Sequence, residues 1–245
     1  SVLIFCDDDN WLHQDYIQTS FEIVNANSSI GALGGMGIAT SDQDLPSWFD
    51  EHAHCYACFR QGERDGELGS PLSTLFGAGL VVRKEVFNSL KKLGFKPILS
   101  DRIENKLSSG GDTELSYAIR LLGLKLMYSG KLSFQHYITP SRLSYTYLYG
   151  LVASLSYCSG DLIMYRYILS NREISSVTWL KDFSYQLIFL FQSLANYLNV
   201  KTPMYQRRLD LIFTFYRLKS IMFQFRKYKK RYRTIINLRK SKDVG

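Results

Sequence analysis

No part of this sequence is apolar and uncharged over enough residues to predict a membrane-spanning helix. A span needs about 20 mostly apolar residues, and the uncharged stretch 143–160 holds four Ser, one Thr and two Gly. Its leucines recur at helical spacing and predict an amphipathic helix. The stretch 180–198 also predicts a helix, which either packs in a bundle or lies in a membrane interface. A signal peptide is missing as well, so we expect cytoplasmic chemistry.

Cysteine is scarce, with four residues in the chain. One short segment superficially suggests zinc, because it contains His52, His54, Cys55 and Cys58. Structural zinc sites normally take two ligand pairs from well-separated positions, so a single short loop argues against zinc. We expect Cys6 and Cys158 to be core residues. Reduced thiols agree with a cytoplasmic protein.

Carboxylates are few in residues 201–245, where 2 acidic residues accompany 14 Lys plus Arg. Residues 1–200 carry 16 basic and 20 acidic residues, so the overall charge of +8 arises in this tail. A helical stripe is predicted there by the spacing of Leu209, Ile212, Phe213, Tyr216 and Ser220. Basic and aromatic residues are then interleaved over 225–233, which suits an anionic membrane surface. Nucleic acid is the competing partner, and a solvated helix face is the alternative without a partner.

The start of the chain places three carboxylates directly after a predicted strand. Residues 2–5 form a continuous apolar run, the pattern of a strand buried on both faces of an α/β sheet. Asp7, Asp8 and Asp9 follow at its carboxyl end, where open α/β sheets bind ligands. Mg²⁺ or Mn²⁺ holding a diphosphate would offset the repulsion among them. The alternative is an acidic turn in which Asp9 or Asn10 is the N-cap of a following helix.

A second segment supplies a possible general base. Apolar residues recur at helical spacing over 115–122, and Gly123 suits the end of that helix. Asp112 therefore falls at the helix start, beside Gly110 and Gly111. It is either a plain N-cap or a carboxylate fixed on a rigid element to take a proton from a substrate.

These two segments, in this order, resemble the second half of the nucleotide-sugar-binding domain of family 2 glycosyltransferases, the inverting enzymes with the GT-A fold. The carboxylate segment resembles the metal-binding DXD motif, and Gly111-Asp112-Thr113-Glu114 resembles the segment with the catalytic base. Further resemblances follow along the chain: a strand and glycine turn (30–35), an acceptor loop (46–49 and 56–66), the glycine-rich entry to the donor pocket (76–87), and a closing strand with a histidine (136–143). The resemblance covers residues 1 to about 160.

The resemblance implies a role for each matching residue. Asp7, Asp9 and His136 would bind Mg²⁺ or Mn²⁺, and Asp112 would be the catalytic base. Many relatives carry Glu where this chain has Gly111, which leaves Asp112 as the better base and Glu114 as a secondary one. The donor would contact Asp8, Gly77, Ala78, Gly79 and Gly111, and the acceptor would contact Trp48, Tyr56 and Glu114. Two alternatives stay open, since His136 also suits a hydrogen-bonded core histidine and the two aromatic rings also suit ordinary packing.

Family members begin with a βαβαβ unit that binds the base and ribose, whereas this chain opens on the DXD strand. We therefore expect a fragment of a longer enzyme, weak or inactive by itself, with an exposed sheet edge where the missing strands would pair.

The expected fold is α/β, with a partial GT-A mixed sheet and helices in residues 1–140 and a helical, basic region in residues 141–245. The expected function is metal-dependent transfer of a sugar, with inversion, from a nucleotide-diphosphate donor to an acceptor hydroxyl in cell-surface polysaccharide or glycolipid synthesis. A lipid-linked acceptor favours a peripheral location on the inner face of the cell membrane, and favours the membrane over nucleic acid as the partner of the tail. The alternatives are a noncatalytic membrane- or nucleic-acid-binding module and another Mg²⁺-dependent phosphotransferase.

Overall fold

The computed structural model describes residues 1–99, 102–103, 106–107, 110–172, 175–224 and 228–240. They form a mixed α/β protein with a curled mixed sheet and helices. The strands are β1 (Val2–Ile4), β2 (Asn10–Leu12), β3 (Ile30–Thr40), β4 (Gly66–Glu67), β5 (Val81–Arg83), β6 (Arg102–Ile103), β7 (Lys106–Leu107) and β8 (Lys125–Tyr137). The helices are α1 (Tyr16–Ala26), α2 (Phe49–His52), α3 (Lys84–Lys92), α4 (Gly111–Leu121), α5 (Tyr145–Asp161), α6 (Ile163–Leu169), α7 (Ser176–Tyr197), α8 (Met204–Gln224) and α9 (Tyr228–Lys240). Short 3₁₀ helices span Ala53–Tyr56 and Pro140–Arg142.

The chain divides into two compact units. The sheet unit comprises residues 1–96 and 112–143, with the described residues from 235 onward. The helical unit comprises the described residues of 97–111 and 144–234. The expected division into two domains, with a boundary between residues 140 and 141, stays a prediction.

The main sheet of the sheet unit has the strand order β1-β5-β3-β8-β2, and β4 pairs with β8. β3 and β8 are parallel, while β1 and β3 both run antiparallel to β5. β1, β3 and β8 therefore share one direction, and their carboxyl ends lie at the same edge of the sheet. We call this the carboxyl edge.

The sheet curls because its two end strands are joined by a short connection. β1 and β2 stand at opposite ends of the strand order, although only residues 5–9 lie between them. A flat sheet would separate them by four strand spacings, about 19 Å. The connection includes a turn, in which the N–H of Asn10 donates to the carbonyl of Asp7 (3.1 Å). Because the turn shortens the connection, it is too short to join the two strands across a flat sheet. The curl brings the carboxylates toward β8.

β3 is a long buried strand that contains several glycines. The segment 30–35 was predicted to end in a glycine turn, and that prediction is wrong, because β3 continues from Ile30 to Thr40, with a shift of register against β8 between Gly34 and Met36. A Cβ at Gly35 would overlap the carbonyl of Leu132, and one at Gly37 would overlap the carbonyl of Ala57. The glycines therefore permit close backbone approach to neighbouring segments. The core beside them is formed by Tyr16, Val24, Ile30, Leu33, Ala78, Val81, Leu132 and Phe134.

The first strand is an edge strand, which corrects the expectation of a strand buried on both faces. Leu3 is 41% and Phe5 is 43% exposed, and among the described strands β1 pairs with β5 alone. β1 therefore lies at one edge of the sheet that the described strands form, and the pairing of further strands with it stays a prediction. The alternative N-cap role for Asp9 or Asn10 is wrong, because a strand follows and the next helix begins only at Tyr16. Cys6 was expected in the core but is exposed.

The helices that periodicity predicted are confirmed. α4 ends at Leu121, and Gly123 has a φ of +81°, as a helix-ending glycine often does. α5 and α7 occupy the stretches predicted to be helical in residues 143–160 and 180–198. In α8, Leu209 and Ser220 of the predicted stripe are buried, whereas Phe213 is 42% exposed. Cys158 is buried as expected.

The basic and aromatic run of the tail is described in part. Residues 225–227 lie outside the described residues, as do the side chains of 228–230 and 233. Within the part of the chain that the structure describes, no helix has both the length and the apolar character required to cross a membrane.

Candidate functional site

The pairing of β2 with β8 places the carboxylate segment beside the predicted histidine. The strands are antiparallel, with Asn10 opposite His136. The N–H of Tyr137 donates to the carbonyl of Asp9 (2.8 Å). Asp9 is therefore fixed next to His136 by main-chain hydrogen bonds, independently of any ligand.

The carboxylate of Asp9 is held by three side chains. Its Oδ2 atom lies 2.9 Å from Nη1 of Arg142, and its Oδ1 atom lies 3.6 Å from Nε2 of His136. The side-chain amide of Asn10 donates to Oδ1 (2.9 Å). The Asp9 side chain is 22% and that of Arg142 is 33% exposed, so these two charges interact with less solvent screening than surface groups do. The His136 side chain is 13% exposed. Asp7 and Asp8 are exposed.

Arg142 is a member of this cluster to which the sequence reasoning gave no role. It ends the 3₁₀ helix that follows β8, and its carbonyl accepts a hydrogen bond from the hydroxyl of Tyr56 (3.0 Å). The only sequence signal was a basic residue just after the closing strand, and nothing local linked it to a carboxylate far away in the chain. Asp9, His136 and Arg142 are named the Asp9 cluster below.

Cys58 lies beside the ring nitrogen of His136 that faces away from Asp9. Its Sγ atom lies 3.3 Å from the carbonyl of Tyr56 and 3.7 Å from Nδ1 of His136. Burial, and then the charge of Asp9, raise the pKa of Cys58 to about 12, so the thiol keeps its proton at neutral pH. The thiol donates that proton to the carbonyl of Tyr56, so the sulfur is left as an acceptor whenever Nδ1 of His136 carries a proton. Nε2 is the ring nitrogen that points at Asp9.

The donor chemistry of the Asp9 cluster fits a divalent cation that has two protein ligands. A carboxylate oxygen and an imidazole nitrogen 3.6 Å apart are ligands that Mn²⁺ accepts. No set of three or more His, Cys, Asp or Glu side chains that would hold an ion is found among the described residues. The fit therefore requires a ligand such as a diphosphate to supply further oxygens, as Mg²⁺ sites commonly do.

A second cluster joins Asp112 to the predicted donor loop. The N–H of Gly77 donates to Oδ2 of Asp112 (2.8 Å), and the N–H of Thr113 donates to Oδ1 (2.6 Å). The start of α4 is thus attached to the loop that precedes β5. The hydroxyl of Thr113 also donates to Oδ1 (3.4 Å), so main-chain and side-chain donors together fix this carboxylate.

Gly79 closes the same loop through Tyr16. Its φ is +66°, in the left-handed region that favours glycine. The hydroxyl of Tyr16 donates to the carbonyl of Gly79 (2.5 Å), and burial raises the pKa of that phenol, so it remains a donor. Gly77, Ala78 and Gly79 are therefore held in a fixed conformation, with Ala78 buried.

Both clusters lie at the carboxyl edge of the sheet. Asp9 follows β1 and His136 lies near the end of β8. The loop with Gly77 and Gly79 leads into β5, which is antiparallel to β1, and the N–H of Phe5 donates to the carbonyl of Leu80 (2.9 Å). The fold therefore brings to one edge the residues predicted for the metal, the donor and the base.

The predicted acceptor residues are buried. Trp48 is 6%, Tyr56 is 5% and Glu114 is 1% exposed. The ring of Trp48 lies beside those of Phe49 and His52, and the ring of Tyr56 lies 5.0 Å from that of Phe49. In this structure neither Trp48 nor Tyr56 presents an open ring face to a sugar. Both rings instead pack against neighbouring side chains, as the alternative to acceptor binding expected. Gly111 is the first residue of α4.

No model of a known protein family matches this chain. No curated protein matches it either. The function is therefore argued from the two clusters.

Proposed function

We propose that the sheet unit belongs to a GT-A glycosyltransferase domain, and that the enzyme transfers a sugar from a nucleotide-diphosphate donor to an acceptor hydroxyl with inversion. One observation carries this proposal: the Asp9 cluster and the Gly77–Asp112 contact lie at the same edge of a mixed α/β sheet. A single displacement at a sugar requires positive charge to stabilise the departing phosphate and a carboxylate to take the proton of the attacking hydroxyl.

In this proposal Asp9 and His136 would hold Mg²⁺ or Mn²⁺. When bound, the cation neutralises negative charge on the departing nucleoside diphosphate. Arg142 has a guanidinium beside the same carboxylate, and its planar fork matches phosphate oxygens. Its backbone is anchored by Tyr56, so the charge is positioned before the donor arrives.

Asp112 is the proposed base. It takes the proton of the acceptor hydroxyl while that oxygen forms a bond to the anomeric carbon. The bond from this carbon to the diphosphate oxygen breaks, and its electron pair leaves with the diphosphate. Attack and departure on opposite faces invert the configuration. The hydrogen bonds from Gly77 and Thr113 fix the carboxylate, so little reorganisation is needed during the reaction.

The test has two parts with separate readouts. Mn²⁺ binding to this chain in the presence of a nucleoside diphosphate is measured by electron paramagnetic resonance for the wild type and for Asp9→Asn. The control is Asp44→Asn, which changes an exposed carboxylate outside both clusters. We expect Mn²⁺ to bind Asp9→Asn more weakly than the wild type, and to bind Asp44→Asn as it binds the wild type. Turnover is measured in the full-length gene product across a panel of nucleotide sugars. Asp112→Asn is expected to lower transfer by about 10²- to 10⁴-fold while donor binding is kept.

Full transfer activity in either variant would contradict the assigned roles. Transfer of phosphate without a sugar would identify a phosphotransferase instead. Absence of donor binding in the full-length protein would favour a noncatalytic binding module.

A further inference from the structure

The exposed side of α7, in the helical unit, is apolar. The residues that recur along this side at helical spacing are Val177, Leu180, Ser184, Ile188, Phe191, Ala195 and, just past the end of the helix, Leu198. Phe191 is 62% exposed and Ile188 is 51% exposed. This set is named the α7 outer face. A helix on the surface of a water-soluble domain normally presents polar residues on that side.

The opposite side of α7 packs within the helical unit and contains polar residues. Gln186 and Ser193 are each 8% exposed. The indole N–H of Trp179 donates to the carbonyl of Ile221 in α8 (3.2 Å). On this side α7 buries one amide and one hydroxyl beside the half-buried rings of Trp179 and Phe183, whereas its other side exposes large aliphatic and aromatic side chains. That exposed apolar side indicates a contact surface for an apolar environment.

Charge distinguishes among the possible occupants. Residues 183–200 contain no charged side chain. Lys181 lies beside the α7 outer face, and Lys219 on α8 is exposed near Phe215, Met222 and Phe223, which are 49%, 54% and 63% exposed. The acidic residues of α7 and α8 are Asp182, which is half-buried, and Asp210, which lies about half a turn from Lys219 around α8. Apolar side chains bordered by cations are the chemistry that an anionic lipid interface recognises.

We propose that the α7 outer face inserts into the interface of an anionic bilayer. The aliphatic and aromatic side chains occupy the region between headgroups and acyl chains, and the lysines contact lipid phosphates. Nucleic acid is disfavoured, because Val, Leu and Ile cannot stack on bases as aromatic residues do. This inference is independent of the proposed catalytic function. It places the main contact on α7 and not on the basic run of residues 225–233.

The experiment is co-sedimentation of the full chain with vesicles of phosphatidylcholine alone, or of phosphatidylcholine with phosphatidylglycerol. The test variant is Ile188→Ser with Phe191→Ser. The control is Asn196→Ser, an exposed polar position on the same helix. A third variant, Lys181→Gln with Lys219→Gln, removes cations without changing the apolar face. Circular dichroism and light scattering verify that each variant is folded and give its oligomeric state.

We expect binding to the anionic vesicles, reduced about tenfold by the loss of the two apolar side chains. The control should bind as the wild type does, and the lysine variant should bind less to anionic vesicles only. No binding of the wild type, or equal binding of the apolar variant, would overturn the proposal. A wild-type dimer that the Ile188→Ser, Phe191→Ser variant converts to a monomer would also overturn it, and would assign the face to a second copy of the chain.

Discussion

The carboxylate of Asp9 and the guanidinium of Arg142 form an ion pair of 2.9 Å, with side chains that are 22% and 33% exposed. They come from opposite ends of the sheet unit's sequence and meet because β2 pairs with β8. An isolated carboxylate at this depth would lose hydration without compensation. Arg142 therefore stabilises the site when no divalent cation is bound, and it adds positive charge for a phosphate.

The ion pair predicts a specific energetic coupling. Arg142→Gln should lower the free energy of unfolding by about 1 to 2 kcal/mol, between the values typical of exposed and of buried pairs. Arg142→Lys should lose less, since it keeps the charge. In a double-mutant cycle with Asp9→Asn, measured by urea unfolding, the two losses should not add. Strict additivity would show that the pair contributes nothing.

Local patterns in the sequence predicted the elements whose structure depends on local periodicity. The spacing from Leu115 to Leu122 was enough to predict α4, because an amphipathic helix is specified by residues three and four apart. The glycines of β3 could not be interpreted in this way. Glycine favours turns locally, and only the approach of Leu132 explains why Gly35 lies inside a strand.

The pairs that build the site depend on contacts between distant segments. The resemblance suggested that Asp9 and His136 belong to one site. It did not give the distance between their side chains, and it did not indicate that Arg142 pairs with the Asp9 carboxylate. Likewise, an apolar run such as residues 2–5 has the same pattern in a central strand and in an edge strand. Only the sheet order shows that β1 is at the edge.

Asp9 and Cys58 compete for the proton of a neutral His136 ring. Without a divalent cation Nε2 should carry that proton, because a hydrogen bond to the Asp9 carboxylate is stronger than one to a thiol sulfur. A cation on Nε2 requires the proton on Nδ1, from which it can be donated to Cys58. Cys58→Val removes that acceptor at similar volume, so Mn²⁺ affinity in the presence of a nucleoside diphosphate should fall about tenfold. Long-range ¹H–¹⁵N correlation spectra of His136, recorded with and without Mg²⁺, distinguish the two forms of the ring.

The matched control is Cys6→Ala, since Cys6 has no contact with His136 among the described hydrogen bonds. It should leave the spectrum of His136 unchanged. An Nδ1–H ring in the wild-type protein without a cation would refute the assignment.

The conformation of Gly79 predicts a large loss on substitution. Gly79→Ala should lower the free energy of unfolding by about 3 kcal/mol, because φ is +66° and a Cβ would lie 2.7 Å from the hydroxyl of Tyr16. Gly69→Ala is the control, since its Cβ would meet no atom within 4 Å and its φ is not positive. That substitution should be close to neutral. Urea unfolding compares the two, and equal effects would show that the loop is not constrained.

The exposed thiol of Cys6 reports on the charge of the carboxylate segment. Burial first, and then the charges of Asp7 and Asp9, raise the pKa of this thiol. A raised pKa means that less thiolate is present at a given pH, and the thiolate is the reactive form. Asp7→Asn removes one negative charge, so it should lower the pKa of the Cys6 thiol and increase the rate of its alkylation by iodoacetamide at pH 8.

At a pH well above the pKa of Cys6 in both the wild type and the variant, the two alkylation rates should converge, because the thiol is then fully ionised in each protein. Mass spectrometry of the Cys6 peptide measures the rate, and buried Cys158 serves as the internal control. An unchanged rate at pH 8 would mean that the Asp7 carboxylate does not act on the thiol.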